Sequence, residues 1–223
     1  MDSVSHFNDR ARDYVKYRPD YPPAAIDAIL NGFGSREQVL AADVGTIMRG
    51  AAAPHLNVAW TDGTAEATGL AAQSIDLVLS AQSFHWFRPA EALREFARVL
   101  IPRGRLAIMW NRRSQIDPLT NGYRQAILDV GGESAMERMD FDPAVIAGSG
   151  RFTPPERLAW PNLQRLNLDG LIGRAQSASY VPKSGPTGAR LIEQLDALHG
   201  RHADIDGFVT LVYETEVYRS ARV

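Results

Sequence analysis

The chain contains no cysteine in its 223 residues, which excludes disulfides, thiolate zinc sites, iron–sulfur clusters and a cysteine nucleophile. No stretch approaches the ~20 apolar residues that span a bilayer, and the opening Met-Asp-Ser-Val-Ser-His-Phe-Asn-Asp-Arg carries no apolar signal segment. No membrane partner is therefore expected, and the default is a soluble cytoplasmic protein. An excess of charge is missing as well. Lys and Arg number 24 against 26 Asp and Glu, for a net charge of −2, so no long-range field draws in phosphate backbones and nucleic acid is not an expected partner. His199 and His202 lie one helical turn apart near Asp204 and Asp206, but such groups at a helix end are ordinarily solvated or capping, and no metal is expected. What remains is a small-molecule substrate; the oligomeric state is not legible.

With 45% hydrophobic and 22% charged residues, the length suits a single domain over residues 1–223 with a sizeable core. Its organising stretch is Val39 to Gly45, an apolar run followed by an acid and a glycine. That is the pattern of a buried parallel strand entering a tight turn, the place where open α/β sheets bind ligands. Upstream, an amphipathic Phe7 to Tyr17 and the proline-rich Arg18-Pro-Asp-Tyr-Pro-Pro23 read as a lid helix and hinge before a helix over about Ala24 to Asn31. Tyr14, Tyr17, Arg18 and Tyr21 would either pack that helix or close over a ligand.

Downstream, strands are predicted at Asn57 to Thr61, Ser74 to Ser80 and Arg105 to Trp110, with a helix over Pro89 to Leu100. Strand, helix, strand at this spacing is a βαβ unit and makes the sheet mostly parallel. A helix is expected near Leu119 to Val130, a strand over Gln164 to Leu168, and helices over Leu171 to Ala178 and Gly188 to His202. A long strand over Phe208 to Tyr218 would pair back antiparallel. The predicted fold is α/β: a Rossmann-like, mostly parallel sheet with an antiparallel last strand and helices on both faces. Residues 1–23 and 112–162 would supply a small cap. Trp110, Tyr180, Tyr213 and Tyr218 either line a pocket or fill the core.

Several stretches in this order carry a specific resemblance: Arg18-Pro-Asp-Tyr-Pro22, Asp62-Gly-Thr-Ala-Glu66, Ser74-Ile-Asp-Leu-Val78, Ala81-Gln-Ser-Phe-His-Trp86 and Arg98-Val-Leu-Ile-Pro-Arg-Gly104. Together they resemble class I S-adenosylmethionine-dependent methyltransferases, in the small-molecule group that includes ubiquinone-pathway and trans-aconitate enzymes. The resemblance implies S-adenosylmethionine as cofactor. It implies that Asp43 and Gly45 open the glycine-rich cofactor turn, and that Asp62 accepts from the adenine amine while Ala65 donates a backbone N–H beside it. Ser80, Ala81 and Gln82 would lie next to the sulfonium. His85 and Trp86 would follow on the substrate side, His85 as a candidate base or as a buried hydrogen-bonded imidazole. Arg18 with Tyr14 or Tyr21 would hold a carboxylate acceptor, which needs no base.

One departure is large. The family continues from its first motif through a helix and a second strand ending in a ribose-binding acid; here Thr46 reaches the next strand in eleven residues, too few for two crossovers and a strand. Roughly 20 to 30 residues are missing between Gly45 and Thr46, judged from usual element lengths. Either the sequence represents only ordered residues, which predicts a chain break there and a site without cofactor, or the deletion is genuine and the fold serves binding rather than catalysis. A nicotinamide oxidoreductase shares the sheet, but no G-x-G-x-x-G is present, and no G-x-S-x-G supports a hydrolase.

Overall fold

The computed structural model describes residues 16–33, 39–43, 63–131, 141–178 and 181–223. The predicted helix up to residue 15, the strand at Asn57 to Thr61 and the chain break between Gly45 and Thr46 lie outside them, as do Tyr14, Gly45, Asp62 and Tyr180.

Helix α1 (Pro23–Leu30) starts on Pro23, whose ring presets the helical φ. It is followed by β1 (Ala41–Asp43), β2 (Ile75–Ala81), a 3₁₀ turn at Phe84–Trp86, α2 (Pro89–Val99) and β3 (Leu100–Arg113). Then come α3 (Pro118–Gly131), α4 (Ala144–Gly148), β4 (Glu156–Leu166), α5 (Leu168–Gln176), α6 (Gly185–His202) and β5 (Val209–Ala221). The sheet order is β1-β2-β3-β5-β4. The pairs β1–β2 and β2–β3 are parallel, and β5 runs antiparallel to both its neighbours. This is the predicted mostly parallel sheet with an antiparallel last strand. Among the described residues no helix is long and apolar enough to cross a membrane.

Both faces of β2 and β3 are covered, which is why these strands read as continuous apolar runs. On one face Leu77, Ala107 and Met109 pack with Ala25 and Ile29 of α1. On the other, Val78, Leu106, Ile108 and Trp110 pack with Leu93 and Phe96 of α2. Burying each large side chain contributes roughly 1.5–3 kcal/mol. A third cluster joins α3, α5 and α6 to Leu211 and Tyr213 of β5.

Several boundaries differ from the sequence expectation; β3, for one, runs over Leu100–Arg113 rather than Arg105 to Trp110. The strand foreseen at Gln164 to Leu168 is β4, which already begins at Glu156, so the end of the stretch expected to cap the sheet belongs to the sheet itself. Pro161 masked it; β4 is the edge strand, where a residue without an N–H is tolerated. Helix α5 starts at Leu168 because Asn167 Oδ1 accepts the Gly170 N–H at 2.9 Å as an N-cap. Helix α6 starts at Gly185, with a proline in its first turn.

Between α2 and the long part of β3, pairing jumps from Ile75↔Leu100 to Leu77↔Arg105 around the Pro102-Arg103-Gly104 turn. Arg103 sits there at φ +61°, a left-handed conformation costing a residue with a Cβ about 1–2 kcal/mol. Arg103→Gly removes that strain while loosening the unfolded chain. The expected net gain is about 0.5–1 kcal/mol in urea unfolding; an unchanged midpoint would show that the turn relaxes elsewhere.

Candidate functional site

The carboxyl ends of β1, β2 and β3 form the edge at which such sheets bind ligands. Asp43 ends β1 opposite Leu79, two residues before β2 ends at Ala81. Ser80 is fully buried, its Oγ 2.8 Å from Ser83 Oγ. Immediately after the strand Gln82 adopts φ +56°, held by its N–H donating to Met109 O at 2.9 Å. A left-handed non-glycine residue at a strand end is strain of the kind that collects at ligand sites. It turns the chain out of the sheet into the 3₁₀ turn carrying His85. The His85 ring centroid lies 4.7 Å from that of Trp86 and 5.4 Å from that of Trp110. Trp86 is half exposed, so it is not a core residue, whereas Trp110, Tyr213 and Tyr218 are buried.

Ala65 is buried in a tight turn closed by reciprocal hydrogen bonds between Thr64 and Ala67, at 3.0 and 3.1 Å. Two carboxylates dock this turn onto α2. Glu66 Oε1 accepts the Arg88 N–H at 2.9 Å; burial pushes its carboxyl up, but that bond and others bring it below the usual value. Glu95, itself buried, accepts both the N–H of Thr68 at 2.9 Å and its hydroxyl at 2.6 Å, and is held by Arg98 at 2.7 Å. Sequence reasoning missed Glu95. The legible signal was a carboxylate between Leu93 and Phe96 on the apolar face of a helix.

Residues 16–22 form a strap across the same edge on the α1 side. The Tyr17 carbonyl accepts from Gln164 Nε2 at 2.8 Å and the Asp20 carbonyl from Asn162 Nδ2 at 2.7 Å. Tyr21 is partly buried against the α1 cluster. Arg18 lies close enough to Tyr123 for its charge to act on that phenol. The strap and His85 thus approach the edge from opposite faces: Trp110, beside His85, packs on the α2 face, and Arg18 belongs with the α3–α5 side.

There the structure assembles a group that sequence reasoning did not find. Arg113, the last residue of β3, faces Tyr213 across the β3–β5 ladder, and its guanidinium stands 5.3 Å from the Tyr123 ring centre. Arg174 of α5, only 3% exposed, donates to Tyr213 Oη at 3.3 Å and Ser177 Oγ at 3.4 Å. Burial pushes both phenols up. At Tyr213 the guanidinia of Arg174 and Arg113 outweigh burial and hold it below the usual value; at Tyr123 burial prevails. Residues this far apart in sequence carry no joint signal. Asp204 and Asp206 pair with Arg165 at 2.9 and 3.1 Å, and His199 Nε2 lies 3.1 Å from Gly207 O.

Residues 24–108 match the methyltransferase domain family. An uncharacterized methyltransferase of Mycobacterium tuberculosis is 36% identical over 240 aligned positions, covering 93% of this chain and 91% of that protein. Those positions outnumber the 223 residues of this chain, so the relative has residues without a counterpart here. A Schizosaccharomyces pombe methyltransferase is 33% identical over 132 residues, 48% of this chain and 52% of its own length. Two solved structures share the fold. A type II methyltransferase of Anaeromyxobacter dehalogenans superposes with TM-score 0.58 at 20% identity, covering 92% of this chain and 97% of the other. A methyltransferase from an antibiotic biosynthesis pathway of Anabaena variabilis gives 0.57 at 16% identity, with 94% and 99% covered. An identity of 36% over nearly the whole chain, on a sheet shared with solved methyltransferases, makes this chain a member of the class I S-adenosylmethionine-dependent methyltransferase family.

Proposed function

We propose that this chain transfers a methyl group from S-adenosylmethionine to an oxygen or carbon of a small-molecule acceptor. The full-length similarity to a methyltransferase carries this reading. Two features at the carboxyl edge support this reading: Gln82 turns left-handed immediately after β2, and Ala65 sits in a turn anchored by two carboxylates. Asp43, Gly45, Asp62, Ala65, Ser80, Ala81 and Gln82 would hold the cofactor. When bound, a sulfonium donor supplies an electrophilic methyl whose transfer neutralises charge. The protein's contribution is then alignment and exclusion of water, on the order of 7 to 11 kcal/mol in favourable intramolecular models. His85, beside Trp86 and Trp110, would take the proton of a hydroxyl or carbon acid; a carboxylate acceptor, held by Arg18 with Tyr14 or Tyr21, needs no base.

A second reading, a methyltransferase fold kept for binding, is favoured by the short interval after Gly45 and by the relative's additional positions. Calorimetric titration of the purified protein with S-adenosylmethionine separates the two. Binding in the micromolar range, lost with Gln82→Pro, is expected; no heat up to millimolar cofactor leaves the binding-protein reading. Intact mass against 24.5 kDa shows at the same time whether the protein used has additional residues.

A further inference from the structure

The buried polar atoms at the carboxyl edge without a hydrogen-bond partner among the described residues include Nε of Arg113 and the hydroxyl of Tyr123. Tyr123 is fully buried. Leaving such a group unsatisfied is costly, more so on a cation, so both are donors in want of an acceptor. They belong to one cluster, because the Arg113 guanidinium stands against the Tyr123 ring and Arg174 reaches the same place through Tyr213. Arg113 makes no ion pair among the described residues, and Arg18 adds its charge from the strap. Guanidinia present planar donor pairs that match a carboxylate in shape and charge. The location is equally telling, for Arg113 and Tyr213 stand on the sheet edge where a ligand would enter.

We propose that Arg113, Arg174 and the Tyr123 hydroxyl form a recognition pocket for a carboxylate group of the methyl acceptor, so that the substrate is a small organic acid. This rests on the methyl-transfer reading for the word acceptor, but not for the pocket. The other source of such a carboxylate is the aminoacyl end of the cofactor, and the experiment distinguishes the two.

The probe is succinate, titrated into the full chain with and without S-adenosylmethionine and followed by tryptophan fluorescence. Arg113→Gln is expected to weaken succinate binding about 10-fold or more, the worth of a charge-assisted hydrogen bond. Tyr123→Phe, which keeps the ring and the core packing, weakens it several-fold, and Arg94→Gln on the exposed side of α2 changes nothing. Cofactor affinity stays within twofold throughout. Succinate affinity unaffected by Arg113→Gln and Tyr123→Phe, or no succinate binding by the wild type at millimolar concentration, overturns the pocket. Loss of cofactor affinity with unchanged succinate affinity in Arg113→Gln overturns the acceptor assignment in favour of the cofactor's own carboxylate. Succinate binding that depends on Arg113 in a protein with no cofactor affinity upholds the pocket and removes methyl transfer.

Discussion

Glu95→Gln is expected to destabilise the fold by about 2–3 kcal/mol at pH 7, a loss that shrinks as the solution is acidified. The carboxyl of Glu95 is held down from 4.5 to about 2. The hydrogen-bonded Arg98 guanidinium is the main cause, opposed by burial and reinforced by the Thr68 hydroxyl and N–H. At 1.36 kcal/mol per pKa unit the shift corresponds to about 3 kcal/mol, reduced by the partial exposure of Arg98. Because the folded pKa lies below the unfolded one, this stability is fully present above pH 4.5 and is lost as pH falls through about 2. An amide keeps an acceptor for Thr68 but turns donors toward Arg98. Urea unfolding at pH 7 and pH 3 provides the check: a difference between wild type and variant that stays constant with pH would mean that shape, not charge, makes the bond matter. The same substitution weakens one of the two anchors of the turn carrying Ala65, so a fall in cofactor affinity is expected with it.

Gly173→Ala is expected to separate stability from activity. A Cβ built on Gly173 would run into Tyr17 Cε2 and stand 2.5 Å from its Cζ, which forces the ring away. Alanine in the middle of α5 gains close to 1 kcal/mol of helix propensity, offsetting much of the apolar burial that Tyr17 gives up as it moves out. The melting temperature therefore moves by only a few degrees. The strap does not stay in register, since Arg18 is the next residue and the Tyr17 carbonyl is anchored to Gln164. Acceptor KM rises about tenfold or more, for one charge-assisted hydrogen bond displaced, with cofactor affinity little changed. A variant with wild-type KM would show that the strap takes no part in acceptor binding.

Much of the sheet was legible because strands buried on both faces read as apolar runs of characteristic length, and because Pro and Gly punctuate between them. Ile75–Ala81 and the α2 helix appeared within a residue of their predicted positions. The edge strand did not, because half its residues face solvent and Pro161 interrupts the pattern without interrupting the pairing. Of the candidate site, the sequence brings one short stretch together: Ser80 and Ala81 end β2, Gln82, His85 and Trp86 follow it within a few positions, and local spacing alone puts them at the edge. The Glu95 clamp was hidden since its partner Thr68 stands 27 positions away, and hydrophobic periodicity assigns a charge on a helix to solvent by default.

The sequence by itself determined the class of fold, the direction of its last strand, the family and the stretch proposed to meet a cofactor, all properties of local pattern and chain order. Only the tertiary structure decided that Arg113 from β3, Tyr123 from α3, Arg174 from α5 and Tyr213 from β5 meet in one place. The physical reason is that charge and hydrogen-bonding capacity act over a few ångströms in space, whereas the positions that share them here are separated by up to 100 residues, and nothing in an isolated stretch of chain records its neighbours across a sheet.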